Sequence, residues 1–270
     1  MPLLETNFAQ FTYSEIAKVL NVSDCGHDIS VNGFSTDTRS IICGNCFIAL
    51  KGENFNGNLF AKQAVESGAS MCILSEEPSE DPGAPYLIVE DTVKAYGKLA
   101  NAYIQQLKNQ GARVVAITGS SGKTSTKDMC LSVLSQKFNA LATKGNLNNH
   151  IGVPLSILGT EKGTEAAIWE MGMNHAGEIA PLCAMTRPQI GIITTIGSAH
   201  LEYLGSRQAI AEEKCTVARA LPAEGYMIYP ALDDFADYIA TQTSATPIPV
   251  GGCSSPVRAL HPRSTATRPT

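Results

Sequence analysis

The sequence predicts an α/β protein made of a small N-terminal α/β domain followed by a central domain with a mostly parallel sheet. Three observations lead there. Short apolar runs of strand length alternate with helix-period segments along most of the chain, the pattern of parallel strands joined by crossover helices. The run 113–118 passes directly into a Gly-rich turn and then a helix-period segment. A composition of 44% hydrophobic and 17% charged residues over 270 positions suffices for a large core and for two domains.

From the N-terminus, residues 13–20 read as a short amphipathic helix with Ser14 available as its cap. Residues 47–50, 59–67 and 71–74 read as strand, helix and strand, and 86–89 as a further strand. Thr92 to Lys108 carries Val93, Tyr96, Leu99, Ala100, Tyr103 and Leu107 at helical spacing and stops at the polar run Lys108-Asn109-Gln110-Gly111. The domain boundary is placed there, giving units 1–109 and 110–250. Beyond it the spacing predicts strand 113–118, helix 123–137, strand 165–171, a helix near 177–184, strand 190–196, helix 206–220 and strand 225–229. Met129, Val133, Leu134 and Phe138 mark the expected amphipathic segment after the Gly-rich turn. No internal repeat is visible. Residues 251–270 have no helix or strand period and read as a disordered tail, of the kind a frame change produces.

A net charge of −5 without a basic run argues against a general nucleic-acid binder or a membrane-surface protein. No apolar run approaches a membrane span and the start lacks a basic leader region, so a cytoplasmic monomer is expected. The eight cysteines are scattered, as reduced and mostly buried thiols would be. Cys43-Gly44-Asn45-Cys46 has a metal-like spacing, but with no second pair and no His cluster it is too little for a zinc site.

The chemistry is concentrated in residues 118–126, Thr-Gly-Ser-Ser-Gly-Lys-Thr-Ser-Thr, which form a phosphate loop. Gly119 and Gly122 permit the tight turn that points backbone N–H groups inward, Lys123 reaches the β- and γ-phosphates, and Thr124 can hold magnesium. A helix opening at Lys123 adds its positive dipole end. Ile117 stands where the common loop has its first Gly, so this is a shorter variety. In a parallel sheet ligands bind at the carboxyl ends of strands. Glu170, after Ala166-Ala167-Ile168-Trp169, and His200, just past Ile192–Ile196, fall at such ends beside the loop. There a carboxylate can hold a hard cation bridging ATP oxygens. The plainer readings are a solvated strand-end charge for Glu170 and a satisfied loop histidine for His200. Lys214 would ordinarily be a solvated helix lysine, and Asn146, Asn149, Asn174 and His175 would be loop caps.

Several strings in order resemble the Mur ligases, which build the bacterial cell-wall peptide. They are the loop 117–127, Gly145–Pro154, Glu170–Ile179, Thr186-Arg187-Pro188, Ser198–Glu202 and Ala211-Glu212-Glu213-Lys214, and the likeness covers roughly residues 12–235. Their spacing is similar to the members that add D-alanyl-D-alanine to a UDP-N-acetylmuramoyl tripeptide through an acyl phosphate. The resemblance implies that Thr118, Gly119, Ser120, Ser121, Gly122, Lys123, Thr124 and Ser125 bind ATP. It implies catalytic roles for Lys123, Glu170, His200 and Lys214, with Thr124, Glu170, His200 and a carbamylated Lys214 holding two magnesium ions. It assigns Ser35, Thr38 and Arg39, and with them Asn146, Asn149, Asn174 and His175, to the substrate. Residues 52–58 resemble a second part of the uridine-diphosphate pocket. Asn45 replaces a more usual acidic residue, Asn58 a common histidine, and Pro230 an Asn that lies near adenine. The family's third, C-terminal domain is not found in the sequence. The alternatives are a nucleotide-binding fragment without ligase activity, a plain P-loop kinase, or a ligase of another Mur or folylpolyglutamate type.

Overall fold

The computed structural model describes residues 8–251. The tail reading for 252–270 lies outside the described residues. The first part runs β1 (Gln10–Thr12), α1 (Tyr13–Leu20), β2 (Ser30–Asn32), β3 (Phe34–Ser35), β4 (Cys46–Ile48), β5 (Lys51–Gly52), β6 (Phe55–Asn56), α2 (Ala61–Glu66), β7 (Met71–Leu74), β8 (Tyr86–Ile88) and α3 (Thr92–Asn109). Among the described residues β3, β4, β7 and β8 form a four-stranded parallel sheet in that order, and β1–β2 and β5–β6 are antiparallel pairs.

The second part runs β9 (Arg113–Thr118), α4 (Lys123–Leu134), β10 (Ala140–Ala142), α5 (Gly152–Leu158), β11 (Ala166–Glu170), α6 (Ile179–Thr186), β12 (Ile190–Ile193), α7 (Leu201–Leu204), α8 (Arg207–Lys214), α9 (Thr216–Arg219), β13 (Tyr226–Pro230), α10 (Ala236–Thr241) and β14 (Thr246–Val250). Its six strands are all parallel, in the order β10-β11-β9-β12-β13-β14. Every residue of β11 and all but the first of β9 are buried, because helices cover both faces of a parallel sheet. Helix α3 packs on α1 and also on α5 and α6. One apolar cluster therefore runs from Phe11, Ile16 and Tyr103 through Val153 and Trp169 to Ile193. Tyr103 adds a hydrogen bond from its hydroxyl to the Thr160 carbonyl at 2.6 Å.

Several expectations are corrected. The cap of α1 is Thr12, not Ser14: Thr12 and Glu15 make a reciprocal capping box, with Glu15 N–H donating to Thr12 Oγ1 at 3.2 Å and Thr12 N–H to the Glu15 carboxylate at 2.7 Å. Ser14 sits inside the helix. Helix α4 stops at Leu134, and its inward stripe is the buried Lys127 with the half-buried Cys130, Leu131 and Leu134, spaced i, i+3, i+4, i+7, the last three packed on Val115, Ile117 and Ile168. Met129 and Val133 face outward, 62% and 70% exposed, and Phe138 is exposed beyond the helix end. The expected helix 206–220 is two helices meeting at Cys215. Strand β12 ends at Ile193 because Thr194 and Thr195 turn to hold the phosphate loop.

Of the elements that the pattern reading missed, two are masked by proline. Pro154 lies in the first turn of α5, where a missing N–H costs nothing. Pro247 and Pro249 lie in the edge strand β14, two residues apart. Residues so spaced face the same edge, so the outer edge loses its donors while the inner one still pairs with β13.

Candidate active site

Strand β9 lies between β11 and β12, with Glu170 in register with Ile117 and Ile193 with Thr118. The carboxyl ends of all three strands therefore open on one place. The chain leaves β9 toward one side of the sheet and β12 toward the other, so this is also where the strand order reverses.

The loop after β9 turns at Gly119 (φ +152°) and Gly122 (φ +79°), and α4 begins at Lys123. A Cβ on Gly119 would collide with the Thr194 hydroxyl, so only glycine fits. The β12 exit props the loop: Ser120 N–H donates to Thr195 O at 2.9 Å, Gly197 N–H to Ser120 Oγ at 2.9 Å, and Thr194 Oγ1 to the Ser121 carbonyl. Lys123 Nζ is folded back on the Gly119 carbonyl at 2.9 Å. Thr118 is fully buried and spends its hydroxyl on the Met171 carbonyl at 3.0 Å, so it ties two strand ends together instead of facing a ligand. Thr124 and Ser125 are exposed in the first turn of α4.

Glu170 is 2% exposed, which removes the solvated reading of this carboxylate. Thr124 Oγ1 donates to its Oε2 at 3.0 Å and Asn148 Nδ2 to its Oε1 at 2.9 Å. A hydroxyl and a carboxylate thus converge at the mouth of a phosphate loop, a donor set that suits a magnesium ion keeping most of its water and taking one or two protein oxygens. Asn148 was missed as a site residue; a lone Asn in an Asn-rich loop gives no signal of its own. Among the described residues no group of three or more His, Cys, Asp or Glu forms a metal cage.

His200 is in the left-handed region (φ 66°) just before α7. Burial and the nearby ammonium groups of Lys214 and Lys123 hold its imidazole below the usual 6.5. Lys214 is 2% exposed, contrary to the solvated helix position expected of it. Its ammonium has no hydrogen-bond or ion-pair partner among the described residues, and burial, then the Lys123 charge, lowers its pKa from 10.5 to about 8. Next to it, Glu213 accepts from Gly177 N–H at 2.8 Å and Ile179 N–H at 2.9 Å, holding the start of α6. As ammonium, Lys214 repels a cation; as a carbamate it would present oxygens beside His200.

Residue Ile196, on the loop that leads to His200, has both backbone groups fixed by side chains. Asp233 Oδ2 accepts its N–H at 2.8 Å, and Arg207 Nη2 donates to its carbonyl at 2.9 Å. Arg207 in turn pairs with Asp234 at 2.8 Å and lies over the Phe235 ring. The acidic pair after Pro230 therefore acts on the β12 exit.

The other sequence-derived candidates are more loosely placed. Asn149 Oδ1 accepts from Ile151 and Gly152 N–H at 3.1 and 2.8 Å, starting α5. Asn146 is exposed on the same loop, and its carbonyl accepts from Asn148 N–H at 2.8 Å. Asn174 and His175 precede α6, with the His175 ring 4.8 Å from that of Tyr203. Ser35 Oγ lies 2.9 Å from the Asp37 carbonyl and 3.0 Å from Ser40 Oγ; Thr38 opens a 3-10 turn. Arg39, its side chain 86% exposed, closes on Asp37 at 2.6 Å. Two departures from the family pattern are structurally occupied: Asn45 bridges Ile42 N–H and the Asn32 carbonyl, and Asn58 exchanges hydrogen bonds with Ser75 at the end of β7.

A phosphate loop whose first helical Thr meets a buried strand-end carboxylate, in a parallel sheet of this order, has counterparts of known family. Residues 117–256 match the Mur ligase middle domain, and the chain belongs to the Mur ligase family. Within it, the chain is 43% identical over 217 residues to the UDP-N-acetylmuramoyl-tripeptide–D-alanyl-D-alanine ligase of Escherichia coli, covering 80% of this chain and 47% of that protein. A crystal structure of MurF from Acinetobacter baumannii superimposes with a TM-score of 0.84 at 33% identity, over 91% of this chain and 54% of the other. MurF of Thermotoga maritima in complex with ADP gives 0.72 at 32% identity, over 79% and 49%. The chain spans about half the length of the relatives it matches. Among the described residues no helix is long and apolar enough to cross a membrane.

Proposed function

We propose that this chain supplies the nucleotide site of an ATP-dependent amide ligase that joins D-alanyl-D-alanine to a UDP-N-acetylmuramoyl tripeptide. The observation that carries the reading is the Thr124–Glu170 contact of 3.0 Å beside the phosphate loop, with the buried Lys214 close enough to Lys123 and His200 to feel and exert charge. The likeness to dipeptide-adding ligases names the substrates, and the likeness to an ADP-bound relative supports ATP as the nucleotide. In this reading residues 110–250 bind ATP and residues 1–109 bind the uridine-diphosphate end of the acceptor.

A carboxylate is a poor acylating agent, so it is activated first. The tripeptide's terminal carboxylate attacks the γ-phosphorus of ATP, giving an acyl phosphate and ADP. The amine of D-alanyl-D-alanine then attacks the acyl carbon, loses a proton and expels phosphate. Lys123 leaves the Gly119 carbonyl for the phosphates, and with the loop N–H groups and the α4 dipole it stabilises the charge that moves onto them. Thr124 and Glu170 would hold one magnesium ion, and His200 with a carbamylated Lys214 a second; bound there, magnesium would neutralise charge on the phosphate oxygens. Burial, then the Lys123 charge, lowers the Lys214 pKa from 10.5 to about 8, which favours the neutral amine that adds carbon dioxide.

Binding of nucleotide without ligation is the second reading, since the phosphate loop and its helix alone suffice to hold ATP. Phosphate release from ATP decides between them. The ligase reading requires release that depends on both the acceptor carboxylate and the dipeptide amine, with amide product in equal amount. Release with either substrate omitted, or phosphate transferred to a hydroxyl, would overturn it; ATP binding with no release supports the second reading.

A further inference from the structure

The phosphate loop lies at the carboxyl edge of the six-stranded sheet. At the opposite edge, where β9, β12 and β13 begin, there is a cavity of about 1090 Å³. Gln189, Ile190 and Tyr226 form its floor, and α6 and α9 form its walls. A cavity of this size accommodates a small organic ligand.

Its charge is one-sided. Lys108, Arg113, Arg187 and Arg219 line it, against Glu224 as the one carboxylate among the described residues of the lining. This excess of three positive charges sits in a chain whose net charge is −5. The groups are also left without acidic partners. The side chains of Arg113 and Arg187 make no hydrogen bond or ion pair among the described residues. Arg219 binds neutral acceptors only: Gln242 Oε1 at 2.8 Å, the Glu212 carbonyl at 2.7 Å and Thr216 Oγ1 at 3.2 Å. Lys108 reaches the Arg187 carbonyl at 2.7 Å. Burial, then the charges of Arg187 and Arg113, lowers its pKa below 10.5, which places the three cations within electrostatic reach of one another.

Like charges gathered in a concave site raise each other's energy and the local concentration of anions. A single carboxylate would neutralise one of them. A diphosphate presents at least two negative charges and a row of acceptor oxygens, matched to guanidinium forks on two sides. We propose that this cavity binds a small molecule carrying a diphosphate group, through Arg113, Arg187, Arg219 and Lys108, independently of the phosphate loop. The apolar side of the cavity, Ile190, Leu221 and Pro222, leaves room for the organic part.

The test is titration of inorganic pyrophosphate into the isotope-labelled chain, followed by backbone amide NMR. The two sites report separately: amides of Arg187, Gln189, Arg219 and Leu221 read the cavity, and those of Gly119–Thr124 read the phosphate loop. Saturable shifts at the cavity amides are expected in the millimolar range or below. In the Arg113→Ala/Arg187→Ala double variant these shifts weaken at least about tenfold while those of the phosphate loop persist. Both side chains are exposed, so the variant is expected to fold, and its unshifted spectrum elsewhere checks this. Cavity shifts that drift linearly without saturation, or that survive the double substitution, would overturn the proposal. Loss of the phosphate-loop shifts alone would count against the ATP site and leave this one standing.

Discussion

At the carboxyl edge of the six-stranded sheet, Glu170 and Lys214 are each 2% exposed, whereas beside the four-stranded sheet the Arg39 side chain is 86% exposed and closed on Asp37. Both regions combine parallel strands with charged candidates, yet they stand in opposite physical states. Keeping an ammonium dry next to a second lysine costs stability, and the fold bears that cost in the central sheet. An exposed ion pair between near neighbours costs and contributes little. The difference suggests where removing a charge will be felt by the fold, and where by a ligand alone.

The largest effect is expected from Lys123→Ala. Its ammonium is the phosphate loop's own cation, so affinity for magnesium–ATP should fall by about a hundredfold. Isothermal calorimetry with unchanged affinity would put the site elsewhere.

Next is Lys214→Met. The folded pKa of about 8 lies below the ordinary 10.5, so between these values the unfolded chain binds more protons and stability rises with pH. The full penalty applies below pH 8 and is relieved by pH 10.5, a gain of about 3 kcal/mol. The Met variant should be more stable than the parent at pH 7 and lack this rise. Denaturant unfolding across that range, read as the difference between the two proteins, measures it; parallel curves would contradict the burial of a charged Lys214.

Asp233→Ala sharpens the comparison inside the central site. It leaves Ile196 and Phe235 N–H without their acceptor, which should cost about 2 kcal/mol and weaken nucleotide binding several-fold by loosening the strand exit that props the loop. A stability loss with unaltered nucleotide affinity would confine Asp233 to a purely local role.

The smallest effect on the fold is expected from Arg39→Ala: no change in melting temperature, but weaker binding of a uridine-diphosphate ligand to the chain, by about tenfold. A drop in melting temperature would break the contrast between the regions, and undiminished binding would remove Arg39 from the substrate site.

Much of this was legible in the chain itself. The phosphate loop, its flanking strand 113–118 and the helix opening at Lys123 are local devices, set by apolar period and by glycines at positive φ, and they form where the pattern predicts. Glu170 could be placed at a strand end by counting along the chain, whereas His200, expected just past a strand 190–196, lies on the loop between the end of β12 at Ile193 and α7. The resemblance strings then supplied Lys214, which physics on the sequence alone ranked as an ordinary surface lysine.

Tertiary structure decided what depends on neighbours distant in sequence. Whether Lys214 is buried, with its pKa lowered by burial and by the Lys123 charge, depends on such neighbours. Met129 and Val133 look like a core stripe along α4, but the sheet below takes Cys130, Leu131 and Leu134. Asn148 and Asp233 matter only because folding brings them to Glu170 and Ile196. The cationic cavity gathers Lys108, Arg113, Arg187 and Arg219 from four separate segments. Local sequence determines which backbone turns and periods are allowed, since those energies involve adjacent residues. Burial, pairing and charge accumulation are sums over contacts across the whole chain, and only the packed fold determines them.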